Sequence, residues 1–133
     1  MKKIGILIIL TAMCIGYASA EELTIRIENV DIGKGDLLIG IYNDEKSFPD
    51  PDGYYVNSTA AATGNVVIVT ISNLPKGTYV VAIFQDKNGN GILDKVLGIP
   101  KEKYCFSNNT VFPDWKKNSF VLNGDMSITV KLR

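Results

Sequence analysis

"TYVVAIFQD", residues 78 to 86, is apolar on both faces when drawn as an extended chain, with a Pro-Lys-Gly turn before it and an Asn-Gly-Asn-Gly run after it. A strand with one wet face alternates apolar and polar residues, whereas so uniform a run needs cover on both sides. It is read as a central strand. "NVVIVTISNL", at 65 to 74, has the same character and the same reading. Outward from these two, the hydrophobic period is two. "LTIRIENV" sets Leu23, Ile25 and Ile27 against Thr24, Arg26 and Glu28, and "DLLIGIYN" puts Leu37, Ile39 and Ile41 on one side. "SFVLN" and "DMSITVKLR" end the chain, the latter with Met126, Ile128, Val130 and Leu132 facing in. No segment after residue 20 carries a helical stripe.

Turn chemistry separates the runs: "GKGD" at 33 to 36, "LPKGT" at 74 to 78 and "NGD" at 123 to 125. About seven short strands at this spacing predict an all-β fold, an antiparallel β-sandwich with two long loops. The first loop, residues 43 to 64, contains Pro49 and Pro51, which exclude a central strand, although "GYYVN" suits an edge strand. The second runs from Asp86 to about Trp115, and a connection of that length in a compact domain is usually functional or held by something.

The first twenty residues stand apart. "MKK" is a basic start, "IGILIILTAMCIGY" an apolar stretch, and "ASA" at 18 to 20 offers small residues to a signal peptidase. A signal peptide over 1–20, a single domain over 21–133 and export to the periplasm or beyond, in soluble form and from a bacterium, are the expectations. The apolar stretch is short for a stable membrane span. A lipid anchor at Cys14 is the second reading, weakened because Met13 stands where a small residue is wanted.

Removal of Lys2 and Lys3 with that segment leaves 12 basic residues against 14 acidic, too little positive charge to attract nucleic acid or an anionic membrane by field alone. Cys105 is then the lone cysteine, and its neighbours Tyr104 and Phe106 favour burial over pairing. The chain has no histidine, which removes imidazole triads, imidazole-based zinc sites and the commonest general base near neutral pH.

The run after Phe84 carries the most specific chemistry. Calcium requires six to eight hard oxygens, and a short loop supplies them when alternate side chains point inward along a curled backbone. In "DKNGNGILD", Asp86, Asn88 and Asn90 follow at i, i+2 and i+4, Gly91 allows the bend, Ile92 offers a carbonyl, and Asp94 binds directly or through water. These match positions 1, 3, 5, 6, 7 and 9 of the twelve-residue helix–loop–helix calcium pattern. Leu97 stands where that pattern has its bidentate Glu, unless Glu102 supplies the carboxylate by folding back after Pro100. Two carboxylates with Lys87 and Lys95 close by imply weak binding, about 10⁻⁴ to 10⁻³ M. The alternative is a bare turn, since Asp and Asn side chains bond to nearby backbone and glycine takes positive φ.

Other candidates are weaker. Cys105 has no activating partner, and the acid pairs Asp44/Glu45 and Asp50/Asp52, possible hydrolase carboxylates, sit among loop residues that favour solvation. Tyr54, Tyr55 and Trp115 could stack on sugars in a carbohydrate-binding module. Asn57 and Asn108 begin glycosylation sequons, without meaning in a bacterium.

Residues 74 to 109, "LPKGTYVVAIFQDKNGNGILDKVLGIPKEKYCFSNN", resemble the signature of a bacterial exported family known as domain of unknown function 2141. The resemblance rests on Leu74, Pro75, Gly77, Tyr79, Asp86, Asn88 to Gly91, Asp94, Gly98 to Pro100, Glu102 and Phe106 to Asn108. It implies a small β-sandwich in the style of prealbumin-like and collagen-adhesin B-type repeats, some of which carry calcium loops. Cys105 replaces the family's usual Gly. The Leu-Pro-x-Gly-x-Tyr stretch has a structural reading: Pro75 fixes φ, Gly77 permits the turn, and the Tyr79 hydroxyl reaches a backbone partner, as in a tyrosine corner. The expectation is a non-catalytic envelope module with a calcium loop of Asp86, Asn88, Asn90, Ile92 and Asp94, a binding or structural role, an envelope or extracellular partner, and no nucleic acid.

Overall fold

Alternating side chains on β1 (Ala20–Glu28) bury Leu23, Ile25 and Ile27 completely while Glu22 and Arg26 meet solvent. The same two-residue period recurs in β2 (Asp36–Tyr42), β4 (Val67–Pro75) and β10 (Met126–Lys131). The computed structural model describes residues 20–96 and 99–133. The signal segment read over 1–20 therefore lies, apart from Ala20, outside the described residues, as do Leu97 and Gly98.

Two sheets form the sandwich. One has the order β10-β1-β4; the other runs β3 (Val56–Ala60), β2, β5 (Gly77–Asp86), β8 (Tyr104–Phe106), with β9 (Phe120–Leu122) sharing the same edge of β5 as β8. A two-stranded ribbon, β6 (Lys95–Val96) with β7 (Ile99–Pro100), stands off this frame. Inward side chains of both sheets meet in one core that joins Ile25, Ile27 and Val130 to Ile39, Val81, Ile83 and Leu122. Cys105 lies in that core, 2% exposed. The chain is thus all-β, with mostly antiparallel sheets packed face to face.

β5 is central, as its sequence predicts, and the reason is visible. Val81 and Ile83 face the main core, while Val80 and Ala82 face a second cluster of Tyr42, Phe48, Phe106 and Trp115 on the outer side. That cluster is roofed by the 43–55 loop and by α1 (Trp115–Asn118), with Phe48 edge-on to Tyr42 at 5.2 Å. The Tyr79 hydroxyl donates to the Pro75 carbonyl at 2.5 Å, closing the expected tyrosine corner.

Three expectations are corrected. β4 is an edge strand of the three-stranded sheet, and no second layer among the described residues covers its outer face of Ile68, Thr70 and Ser72, which leaves Ile68 61% exposed. β1 is central instead, and its partner β10 runs parallel to it, in register from Leu23↔Met126 to Glu28↔Lys131. The segment from 86 to 115 is no unbroken loop, because Tyr104–Phe106 pairs with Ala82–Phe84 and 107–109 form a 3-10 turn. The edge strand expected near "GYYVN" is present as Val56–Ala60, which pairs with β2 at the sheet's edge.

Candidate cation loop

Asp86 is the last residue of β5 and stands on its final rung, opposite Asp36 of β2. The rung is locked from beneath. Gln85, fully buried, donates through Nε2 to the carbonyls of Asp31 (2.7 Å) and Gly35 (3.0 Å) and accepts from the Asp31 N–H at 3.0 Å. One side chain thereby ties the 29–35 connection against the end of β5. Gly35 has φ +106°, and a Cβ there would run into the Asp86 carbonyl, so only glycine permits this closeness.

Beyond Asp86 the chain curls. Gly91 takes φ +73° and donates its N–H to Asp86 Oδ2 at 2.7 Å, which turns the Asp86 carboxylate into the loop. Asn88 Oδ1 accepts from the Asn90 N–H (3.2 Å) and Asn90 Oδ1 from the Ile92 N–H (3.0 Å). The amide nitrogens converge on Asp94: Asn88 Nδ2 donates to its Oδ2 at 2.5 Å, and Asn90 Nδ2 lies 3.0 and 3.2 Å from its two oxygens. Those amide bonds hold the Asp94 carboxyl below its ordinary pKa of 3.8. Ile92 is placed in the same curl with its side chain 63% exposed. Of the five residues proposed from sequence, four are thus linked by side-chain bonds within the loop.

Glu102 does fold back. It is 6% exposed, and its carboxylate accepts the Lys87 N–H at 2.6 Å and the Asp94 N–H at 3.1 Å, clamping both ends of the loop. Lys101 N–H donates to the Asp94 carbonyl at 2.7 Å, fixing the returning strand beside it. Open clefts lie on either side of the loop, one lined by Asn88, Asp94 and Glu102, the other by Asp36, Asp86 and Asn88.

One atom stands out. Asp86 is 95% buried, and its Oδ1 is shielded from solvent without any hydrogen-bond donor. A buried carboxylate oxygen left unanswered costs free energy, and native proteins rarely tolerate one without an ion or an ordered water beside it. Among the described residues no three carboxylate or thiol side chains gather to metal-holding distance, so a cation here depends on amide and carbonyl oxygens as well. Such an acceptor set suits a hard ion and offers nothing to a soft one.

Sequence reasoning missed Gln85, whose only signal is a polar residue in an inward position of an otherwise apolar strand. It also missed Asp31, bridged by Lys87 and Lys103 at 2.8 Å each, which lower its pKa to about 2. Elsewhere, Asp44, Glu45, Asp50 and Asp52 are all exposed on the 43–55 loop. Tyr54 and Tyr55 are exposed there too, whereas Trp115 packs against Phe48 at 6.1 Å. Burial pushes the Cys105 thiol up to about 12, which leaves no thiolate to attack anything at neutral pH.

Fold and loop together define a small bacterial β-sandwich with an acidic-amide loop at the end of its central strand. Residues 25–130 match the family model described as "Uncharacterized protein conserved in bacteria (DUF2141)", and the chain belongs to that family. No curated protein and no solved structure matches it.

Proposed function

We propose that the protein is an exported, non-catalytic module of the bacterial cell envelope, with a binding or structural role, whose 86–94 loop holds a calcium ion weakly. The buried, unpartnered Asp86 Oδ1 carries this reading. Asp86 and Asp94 provide the charge, Asn88 and Asn90 neutral oxygens, and Ile92 a backbone carbonyl. A cation takes over from the two amide groups as the partner of Asp94, so both amides rotate and turn their oxygens inward. Lys87, Lys95 and Lys101 border the loop and oppose the ion's charge, which keeps affinity near 10⁻⁴ to 10⁻³ M, roughly the range of extracellular calcium modules. The Glu102 clamp closes the loop ends in advance and lowers the ordering cost of binding.

Thermal unfolding with calcium and with chelator tests this reading. A ligand bound only by the folded state at ten times its Kd stabilises by about 1.4 kcal/mol and raises the midpoint by about 5 °C for a domain of this size. Asp86→Ala abolishes the rise. Identical midpoints of the parent protein in millimolar calcium and in chelator would remove the ion from the account.

A further inference from the structure

Asn-Gly occurs three times in the chain, at 88–89, 90–91 and 123–124, and the first two pairs follow one another in the loop. An asparagine amide before glycine carries its own hydrolysis chemistry. The next backbone nitrogen is an intramolecular nucleophile for Cγ, and glycine adds no side chain to hinder it. The two loop pairs are closely matched. All four residues are exposed, Gly89 and Gly91 take φ +71° and +73°, and a Cβ on either would meet nothing within 4 Å. Asn88 Oδ1 accepts from the Asn90 N–H at 3.2 Å and Asn90 Oδ1 from the Ile92 N–H at 3.0 Å, so each amide carbonyl is polarised by a backbone donor. Both Nδ2 groups donate to Asp94.

They differ at the nucleophile. The Gly91 N–H donates to Asp86 Oδ2 at 2.7 Å, so taking its proton away breaks a charge-assisted bond and leaves an amide anion facing a carboxylate. The Gly89 N–H has no acceptor among the described residues and lies open to solvent. Nothing in the loop opposes the loss of its proton.

We infer that Asn88 is a site of spontaneous deamidation and that the Gly91–Asp86 bond protects Asn90 from the same reaction. Hydroxide takes the Gly89 amide proton, and the nitrogen forms a bond to Asn88 Cγ. The Cγ–Nδ2 bond then breaks, and ammonia departs with a proton from water, which restores the hydroxide. The cyclic imide left behind takes up water at one of its two carbonyls and opens to an aspartyl or an isoaspartyl residue. The sum is amide plus water giving carboxylate plus ammonium, with no oxidant or reductant. The loop gains one negative charge, and Asp94 exchanges its Asn88 donor for a like charge while keeping that of Asn90. This reaction does not depend on the calcium reading above; where that reading holds, it trades a neutral oxygen of the ion's set for a charged one.

Peptide mapping by mass spectrometry, after incubation of the protein at mildly alkaline pH in chelator, tests the inference. A guanidinium-unfolded sample runs alongside, and Asn123 serves as a reference within the chain. In the folded protein Asn88 should convert about tenfold faster than Asn90 or more, whereas in the unfolded chain the two should convert at similar rates. Asp86→Ala removes the acceptor of the Gly91 N–H. It should bring Asn90 up to the rate of Asn88 and leave Asn123 at its parental rate, which separates the lost bond from general unfolding. Asn90 keeping pace with Asn88 in the folded parent protein overturns the inference. So does a folded protein with both residues intact once the unfolded sample has reacted fully. Asn90 still protected in Asp86→Ala overturns the role of the Gly91–Asp86 bond.

Discussion

Asp86 has one carboxylate oxygen answered by the Gly91 N–H and the other buried without a donor, and the residue before it explains how that state is held. Gln85 spends all of its amide on the 31–35 connection, which packs that connection against the last rung of β5 and shuts solvent away from Asp86. Replacing Gln85 by Leu keeps the volume but strands three backbone groups. Urea unfolding should show a loss of about 2–3 kcal/mol. Asp31, on the same connection, has its folded pKa lowered from 3.8 to about 2, first by its bond to Lys103 and then by that to Lys87. A depressed carboxylate contributes stability that is fully present above its unfolded pKa and is lost as pH falls through the folded one. Stability should therefore decline between about pH 4 and pH 2, with Asp94 acting in the same direction, and Asp31→Asn should flatten the slope there. An unchanged slope in that variant would show the two ion pairs to be energetically idle.

At the scale of elements, the close passage of the 29–35 turn over the end of β5 depends on Gly35. Its φ of +106° is available to glycine, and a Cβ would strike the Asp86 carbonyl. Gly35→Ala must push the turn away from the Asp36↔Asp86 rung and should cost about 2 kcal/mol or more, read from denaturant midpoints. Much of the strand content was legible because each strand declares itself locally: Leu23, Ile25 and Ile27 alternate, β5 is apolar on both faces, and Pro75 with Tyr79 announces a corner. Partnership was not. Whether Ile68 is covered depends on what lies beyond β4, and the parallel match of β1 with β10 joins residues 103 apart, neither of which a local pattern encodes. Tyr104–Phe106 is too short to show a period, so its pairing with β5 stays hidden in sequence. The loop followed the same division. Asp86, Asn88, Asn90 and Asp94 form a contiguous pattern and were readable, whereas the return of Glu102 onto the N–H groups of Lys87 and Asp94 was conditional on a fold-back that sequence could only allow.

For the whole molecule, the two packed sheets carry the loop that follows Asp86 at the end of β5. Two sheets share a continuous core, the outer face of the larger sheet is roofed by the 43–55 loop and α1, and the 86–94 loop leaves from the strand covered on both sides. Anchoring the loop on that strand fixes Asp86, while the exposed Asn88 and Asn90 are held by bonds within the loop itself. The most direct test of that arrangement is a high-resolution crystal structure of the protein grown in calcium. The account predicts a cation about 2.3–2.6 Å from Asp86 Oδ1, with Asp94 and the amide oxygens of Asn88 and Asn90 in the same shell. An ordered water hydrogen-bonded to Asp86 Oδ1, with both amides still donating to Asp94 in millimolar calcium, would contradict it.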